Sequence, residues 1–345
     1  MIPKRISNIT LSLLLLTIIS VSIACANSSE EETIISQEAL VAETTVEIKE
    51  EMIAFKETIN QTIDVISEAG NPVEIIDSLG RSVSFNTPPT AIASISPSAT
   101  EMLYAAGGEA ILRDRASLYP EEVLRLPNIG SSYDPSIEGI LELNPDLVII
   151  EALTQARFVE ILSAANLNVM AVKAENIEDI KMNIRNIGTI LGTNEVAEKN
   201  ISYMETRLND AMTENPGSVL FLISDREQNL YAATSKSYTG LIADLTGLTN
   251  AANELVESGP YPGFALMSVE SILIANPDFI VTITPAPEPA PRLSQSLTMI
   301  PPFAGLKAIK NNAILEGNKD IFLQSPGPRI VEAVESLVNH IAGSK

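Results

Sequence analysis

The chain has 345 residues with 44 Asp plus Glu against 22 Lys plus Arg, a formal net charge of −22, one Cys, one His and no Trp. That excess of negative charge repels phosphate backbones and excludes a nucleic-acid partner, which needs a basic stripe. One His cannot build a zinc site of several imidazoles, and one Cys makes neither an internal disulfide nor a thiolate cluster, so no metal site is expected.

Lys4 and Arg5 open the chain, a sixteen-residue apolar stretch runs from Ile9 to Ala24, and Cys25 closes it. A spanning helix wants about 20 apolar residues, so residues 1–24 read as a secretion signal peptide. Ser22, Ile23 and Ala24 directly before the lone Cys25 resemble the lipobox of bacterial lipoproteins, in which this Cys is acylated. Cys25 is therefore expected to be a lipid anchor, each buried methylene contributing ~0.8 kcal/mol. The alternative is an ordinary signal peptide with an incidental Cys. Residues 26–70 follow with eleven acidic residues against Lys49 and Lys56. Such a segment cannot bury enough apolar area to offset its ordering entropy, and 25–70 reads as a lipidated Cys with an acidic, disordered tether.

Residues 71–345 carry −15 and are long enough for two α/β lobes. Apolar runs at 91–95, 147–150 and 169–172 predict strands, and 100–106 and 158–165 predict helices, a βαβ alternation that implies a parallel sheet covered by helices. Ile177, Ile180, Ile184, Ile187 and Leu191 then recur at helical spacing, and the helical pattern continues past Gly192 to Met212. Pro216 and Gly217 end it. Strand signals return at 219–223 and 279–284, with helices at 240–245, 269–275 and 329–342.

One stretch occurs twice. Residues 136–150, SIEGILELNPDLVII, and 268–282, SVESILIANPDFIVT, share Ser, Glu, Ile, Leu, Asn, Pro and Asp in register, 132 residues apart. Each copy reads as a helix capped by Ser136 or Ser268, with Glu138 or Glu270 in the first turn, where the macrodipole favours an anion, and Asn-Pro ending it before a strand. The spacing fits a duplicated lobe.

The order of these features resembles the periplasmic cobalamin- and iron-chelate-binding proteins of ABC importers. The resemblance covers residues 73–342 and rests on Asp77-Ser78-Leu79-Gly80-Arg81, Ser96-Pro97-Ser98-Ala99-Thr100-Glu101, Tyr119-Pro120, the two repeats and Pro328-Arg329. It implies an α/β fold of two Rossmann-like lobes with parallel sheets (71–173 and 216–345), joined by one long rigid α-helix within 174–215, with the ligand in the cleft between them. It also implies that Glu138 and Glu270 dock into Arg pockets of two permease subunits, beside the capping role read from the residues alone.

Ligand contacts are expected from Tyr119, Tyr133, Tyr261 and Phe264, placed in loops upstream of the glutamate helices, from the turn at Ser98 and from Arg329, which could instead pair with a carboxylate. Tyr231 and Tyr238 are weaker candidates. Arg113, Arg115, Arg226, Arg292 and Arg329 are few for an anionic iron chelate, which tilts the expectation toward cobalamin or another corrinoid; a ferric siderophore or haem, the latter with Tyr133 as axial ligand, is the alternative. A carboxylate-based surface hydrolase is a remote third reading, since no G-x-S-x-G, H-E-x-x-H or Walker pattern occurs and no Trp offers a sugar platform. The expected protein is thus a non-enzymatic, membrane-anchored monomer without cofactor, delivering its ligand to an ABC permease dimer with ATPase subunits.

Overall fold

The computed structural model describes residues 72–212, 217–287 and 289–343. The expected signal peptide, Cys25 and the acidic tether lie outside the described residues. The chain enters through an antiparallel hairpin, β1 (Val73–Ile76) and β2 (Ser82–Phe85). Its turn explains the Asp77–Arg81 motif. The fully buried Asp77 carboxylate accepts from the backbone N–H groups of Leu79 and Arg81 at 2.9 Å, from Ala171 at 3.1 Å, and from the Arg81 guanidinium. Arg81 also donates to the Val169 carbonyl at 2.9 Å, so the turn is fastened to the edge of the first sheet.

That sheet has the order β4-β3-β7-β8 and is parallel throughout. In chain order its lobe contains β3 (Ile92–Ser94), α1 (Pro97–Ala105), β4 (Ala110–Leu112), a small hairpin of β5 (Gly130–Ser131) and β6 (Asp134–Pro135), α2 (Ile137–Glu142), β7 (Leu147–Glu151), α3 (Ala152–Gln155), α4 (Val159–Ala164) and β8 (Val169–Val172). Both faces are covered, as continuous apolar strands require. Leu147 and Ile149 face one core together with α1, whereas Val148 and Ile150 face another with Ile140 and Leu162.

The connection is two helices, not the single long one expected. α5 (Ile177–Leu191) starts at an Asn176 cap and ends at Gly192, whose φ of 72° is left-handed; α6 (Asn194–Ala211) then runs back along it. Gly is the residue that enters this conformation without steric cost, which stops the helix although the hydrophobic period continues. Ion pairs Arg185–Glu198 (2.6 Å) and Lys181–Glu205 (2.5 Å) mark the antiparallel register. At Gly188 a Cβ would lie 2.7 Å from that of Ala197, so the helices approach where only Gly fits.

The second lobe comprises β9 (Ser218–Ser224), β10 (Leu230–Ala233), α7 (Tyr238–Thr246), β11 (Thr249–Asn250), β12 (Phe264–Met267), α8 (Val269–Ala275), β13 (Phe279–Ile283), α9 (Leu293–Thr298), α10 (Lys307–Lys310), β14 (Ile314–Gly317) and the closing α11 (Ile330–Gly343). Its six-stranded sheet is mixed and not all parallel: β9, β13 and β14 run together, but β10 is antiparallel to both β9 and β12. The cause is a tight turn after β9, where Asp225 accepts from the backbone and side chain of Asn229 at 2.8 Å and returns the chain as a hairpin.

Replacing Asp77 by Ala should leave buried donors on Leu79, Arg81 and Ala171 unsatisfied and lower stability by about 3 kcal/mol. Urea unfolding measures this, and an unchanged midpoint would show that the turn does not hold the sheet edge.

Candidate functional site

In doubly wound sheets ligands lie outside the carboxyl ends of the strands, where the strand order reverses. Here the reversals fall between β3 and β7 in the first lobe and between β9 and β13 in the second.

In the first lobe, Gln155 organises the loops at that point. Its fully buried side chain donates to the carbonyls of Ile95, just after β3, and of Ser132, at the tip of the β5–β6 hairpin, both at 2.7 Å, and accepts from the Glu151 N–H at 2.8 Å. Three loops meet on one amide. Next to Ser132 stands Tyr133, 65% exposed, whose carbonyl accepts from the Arg157 guanidinium. A second buried network fixes the loop after β4. Asp114 accepts from the Ser117 hydroxyl and from the Ala116 N–H at 2.8 Å, and the Ser117 hydroxyl continues to Thr100 (3.1 Å) and on to Ser94 (2.7 Å). Burial pushes the Asp114 carboxyl above the usual range, against the hydrogen bonds from Ser117 and Ala116. This loop ends at Tyr119, 47% exposed.

Tyr119 covers Arg329, the guanidinium carbon lying 4.3 Å from the ring centroid. The same guanidinium reaches across from the start of α11 to the α1 carboxylate Glu101, Nη2 to Oε1 2.6 Å. Glu101 is 3% exposed. Burial raises its carboxyl to about 7, opposed by Arg329 and Ser325. A buried ion pair of this kind is costly to half-break, because either partner alone is an uncompensated charge. Arg329 is therefore engaged by the first lobe rather than free for a ligand.

The remaining expected contacts divide. Ser98 is 2% exposed, inside the first turn of α1, where Ser96 is the cap that accepts from the Ala99 N–H at 3.2 Å. Phe264 is 4% exposed and is not in a loop: it begins β12 and packs in the core. Tyr261 is half-buried, edge-on to Tyr231 at 5.0 Å. Tyr238 is buried, with its hydroxyl donating to the Ile321 carbonyl at 3.0 Å. The structure thus brings Tyr119 and Arg329 together, keeps Tyr133 exposed beside Ser132, whose carbonyl Gln155 holds, and withdraws Ser98 and Phe264 into packing. Glu101 and Gln155 were missed. A solitary acid in the otherwise small and apolar stretch SPSATEMLYAAG was the available signal for Glu101; nothing in EALTQARF marked Gln155.

Glu138 and Glu270 are both exposed in the first turns of α2 and α8. Ser136 caps by accepting from the Gly139 N–H and Ser268 from the Ser271 N–H, each at 3.1 Å, so the two carboxylates stand on equivalent supports. A cavity of about 420 Å³ lies elsewhere, on the helical connection, lined by Ile177, Lys181, Glu205, Leu208, Asp244 and Leu245. Among the described residues no group of three His, Cys, Asp or Glu side chains could hold a metal ion, and no helix is long and apolar enough to cross a membrane.

Gln155→Leu should strand the Ile95 and Ser132 carbonyls and the Glu151 N–H at a cost of about 1–3 kcal/mol each. Hydrogen exchange should quicken across 130–135 and 151–155; unchanged protection there would remove Gln155 from its role as the hub.

A profile of the family described as periplasmic binding protein matches residues 92–321. The substrate-binding lipoprotein YvrC of an uncharacterised ABC transporter in Bacillus subtilis is 24% identical over 78% of this chain and 85% of its own. A vitamin B12-binding protein of Vibrio cholerae is 26% identical over 74% of this chain and 90% of its own. Among solved structures, the periplasmic haem-binding protein RhuT of Roseiflexus sp. RS-1 superimposes with a TM-score of 0.63 at 26% identity, covering 74% of this chain and 98% of that one. Two sheets with reversal points, anchored loops at the carboxyl end of the first and the family match agree: the chain belongs to the periplasmic binding protein family, whose members are non-enzymatic components of transport.

Proposed function

We propose that this protein is an extracytoplasmic solute-binding lipoprotein that captures cobalamin or a related corrinoid between its lobes and delivers it to the permease dimer of an ABC importer, whose ATPase subunits supply the energy. The observation that carries the ligand choice is how two of the five candidate arginines are used. Arg329 is held by Glu101 and Tyr119, and Arg113 donates to the carbonyls of Asp114, Arg115 and Ser117. An anionic siderophore would need such guanidinium groups free, whereas a nearly neutral macrocycle is gripped by packing on aromatic rings. The exposed rings of Tyr119 and Tyr133 suit that, and Tyr261 is a third, partly covered ring. The name of the Vibrio relative supports the same reading. Haem is a second reading, favoured by the exposed Tyr133 as an axial oxygen and by the RhuT likeness.

In this reading Glu138 and Glu270 are the docking carboxylates. Two acids on equivalent capped helices form a nearly two-fold pair, which suits a permease dimer presenting Arg pockets. Cys25 is the lipid anchor that keeps the protein at the outer face of the membrane.

A thermal-shift panel of cyanocobalamin, haemin and a ferric hydroxamate tests the ligand, since saturation at a hundredfold excess over Kd adds about 2.7 kcal/mol. Cobalamin should stabilise the protein, and Tyr119→Ala and Tyr133→Ala should each weaken it roughly tenfold. A haemin Soret shift lost in Tyr133→Phe would replace corrinoid with haem, and silence across the panel would sink solute binding altogether. The docking assignment has its own measurement: Glu138→Arg with Glu270→Arg should abolish cellular uptake and leave the Kd in solution unchanged.

A further inference from the structure

Arg329 is the point where the lobes grip one another on the polar side. It belongs to the second lobe, at the start of α11, yet its in-plane partner Glu101 and its stacking partner Tyr119 both belong to the first. Its other acidic neighbour, Glu332, lies 3.8 Å from Nη1 on its own helix and is more exposed. Among the described residues, Oε2 of Glu101 and Nε of Arg329 have no hydrogen bond of normal geometry, so one short prong joins the two side chains, with Ser325 beside the carboxylate. One change of charge is enough to redistribute it.

We propose that Glu101, Arg329 and Tyr119 form a clamp that sets the angle between the lobes, and that the clamp is released when Glu101 takes a proton from solvent. With its carboxylate neutralised, Glu101 keeps at most a neutral hydrogen bond, and the guanidinium is drawn to the one remaining carboxylate beside it, Glu332. That partner is in the same lobe as Arg329. Protonation therefore converts a contact across the lobes into a contact within one, and frees the Tyr119 ring from its stacked cation. Tyr238, the other titratable group that faces Glu101, stays neutral throughout, because burial first and the Glu101 charge next push its phenol further up. Arg329 stays charged, its guanidinium held up by Glu101 and Glu332 against burial.

Burial places the exchange in an accessible range, since the Glu101 carboxyl titrates near 7 in the folded chain against an ordinary value of 4.5. The folded-state value is raised, so the stability contributed by neutral Glu101 is complete below about 4.5 and is lost as pH rises through about 7. Above that point the fold gives up stability to keep the charged clamp. Glu101 and Arg329 are positioning residues in this scheme; only the consequence for capture rests on the solute-binding reading.

The test measures the lobes without ligand. In the full chain carrying Cys25→Ser, nitroxides at Glu142→Cys and Ile274→Cys, exposed and equivalent positions of the two repeats, report the interlobe distance by pulsed electron resonance. At about pH 8 one narrow distribution is expected, and at about pH 5.5 a longer and broader one, with the midpoint near the Glu101 value. Glu101→Gln should show the long distribution at both. A distribution that does not move with pH, or a short one in Glu101→Gln, overturns the clamp; if Glu101→Gln does not fold, the titration of the unsubstituted chain decides alone. Because no ligand enters, an unmoving distance beside intact cobalamin binding defeats the clamp and spares the function, while a pH-driven distance without binding does the reverse.

Discussion

One apolar core ties the two sheets together. It runs from Ile75 in the first hairpin through Met102 and Leu103 of α1, Ile180 to Ile190 of α5 and Ile201 to Leu208 of α6, to Phe221 in the second sheet and Leu337 and Ile341 in α11. At roughly 25 cal/mol per Å² of apolar area, prying the lobes apart on this side would be expensive. The polar bonds follow the same line. Thr193 and Asn200, at the start of the second connecting helix, donate to the Ala106 and Ala105 carbonyls at 2.6 and 2.8 Å, satisfying the open end of α1. Arg207 of α6 forks onto Glu335 of α11 at 2.8 and 2.6 Å. A hairpin of two helices, the second bonded to α1 of one lobe and α11 of the other, thus does what a single helix was expected to do, and it does so by sharing a core and not by stiffness of one rod.

The internal repeat shows how far a sequence pattern can be carried into structure. Its serines cap, its Asn144 and Asn276 take the left-handed φ of 46° and 38° that ends each helix, and its aspartates then act alike. Asp146 accepts from the Thr90 and Ala91 N–H groups at 2.8 and 3.0 Å, and Asp278 from the Ser218 N–H at 2.9 Å. In each lobe, therefore, the aspartate that starts one parallel strand fastens the start of its neighbour. Most of the repeated residues have a folding reason of this kind. The two glutamates do not, beyond a modest interaction with the helix dipole, so both remain exposed for the proposed docking role.

What was legible follows from where the signal resides. Strands buried on both faces announce themselves as apolar runs, and β8 and β13 lie where those runs stood. The β10 strand, Leu230–Ala233, was not read, because a short Leu-Tyr-Ala-Ala run neither alternates nor carries β-branched residues. The end of α5 was misread because hydrophobic period outvoted a single Gly. Phe264 was placed in a loop on the strength of Tyr-Pro-Gly before it, yet the chain enters β12 at that residue. Partners over distance were harder to read: a carboxylate partner for Arg329 was the alternative expectation, but not that it is Glu101, 228 positions away, and Gln155 joins three loops that share no motif.

The distribution of apolar and polar contacts also limits how the molecule can move. The side of the lobes that shares a core is apolar and continuous, so opening it would expose apolar area. On the side of Tyr119 the lobes are joined by a charged pair whose strength depends on one proton and by a ring stacked on a cation, contacts that can exchange partners without exposing apolar area. Under the proposed clamp, a change in the angle between the lobes would pivot about the helical connection, where the shared core lies. The loops after β4 and around the β5–β6 hairpin are rigid in themselves, each closed by a buried polar network through Asp114 or Gln155. The proposed flat, nearly neutral ligand suits this arrangement better than an anion would, because it does not compete with Glu101 for the Arg329 guanidinium.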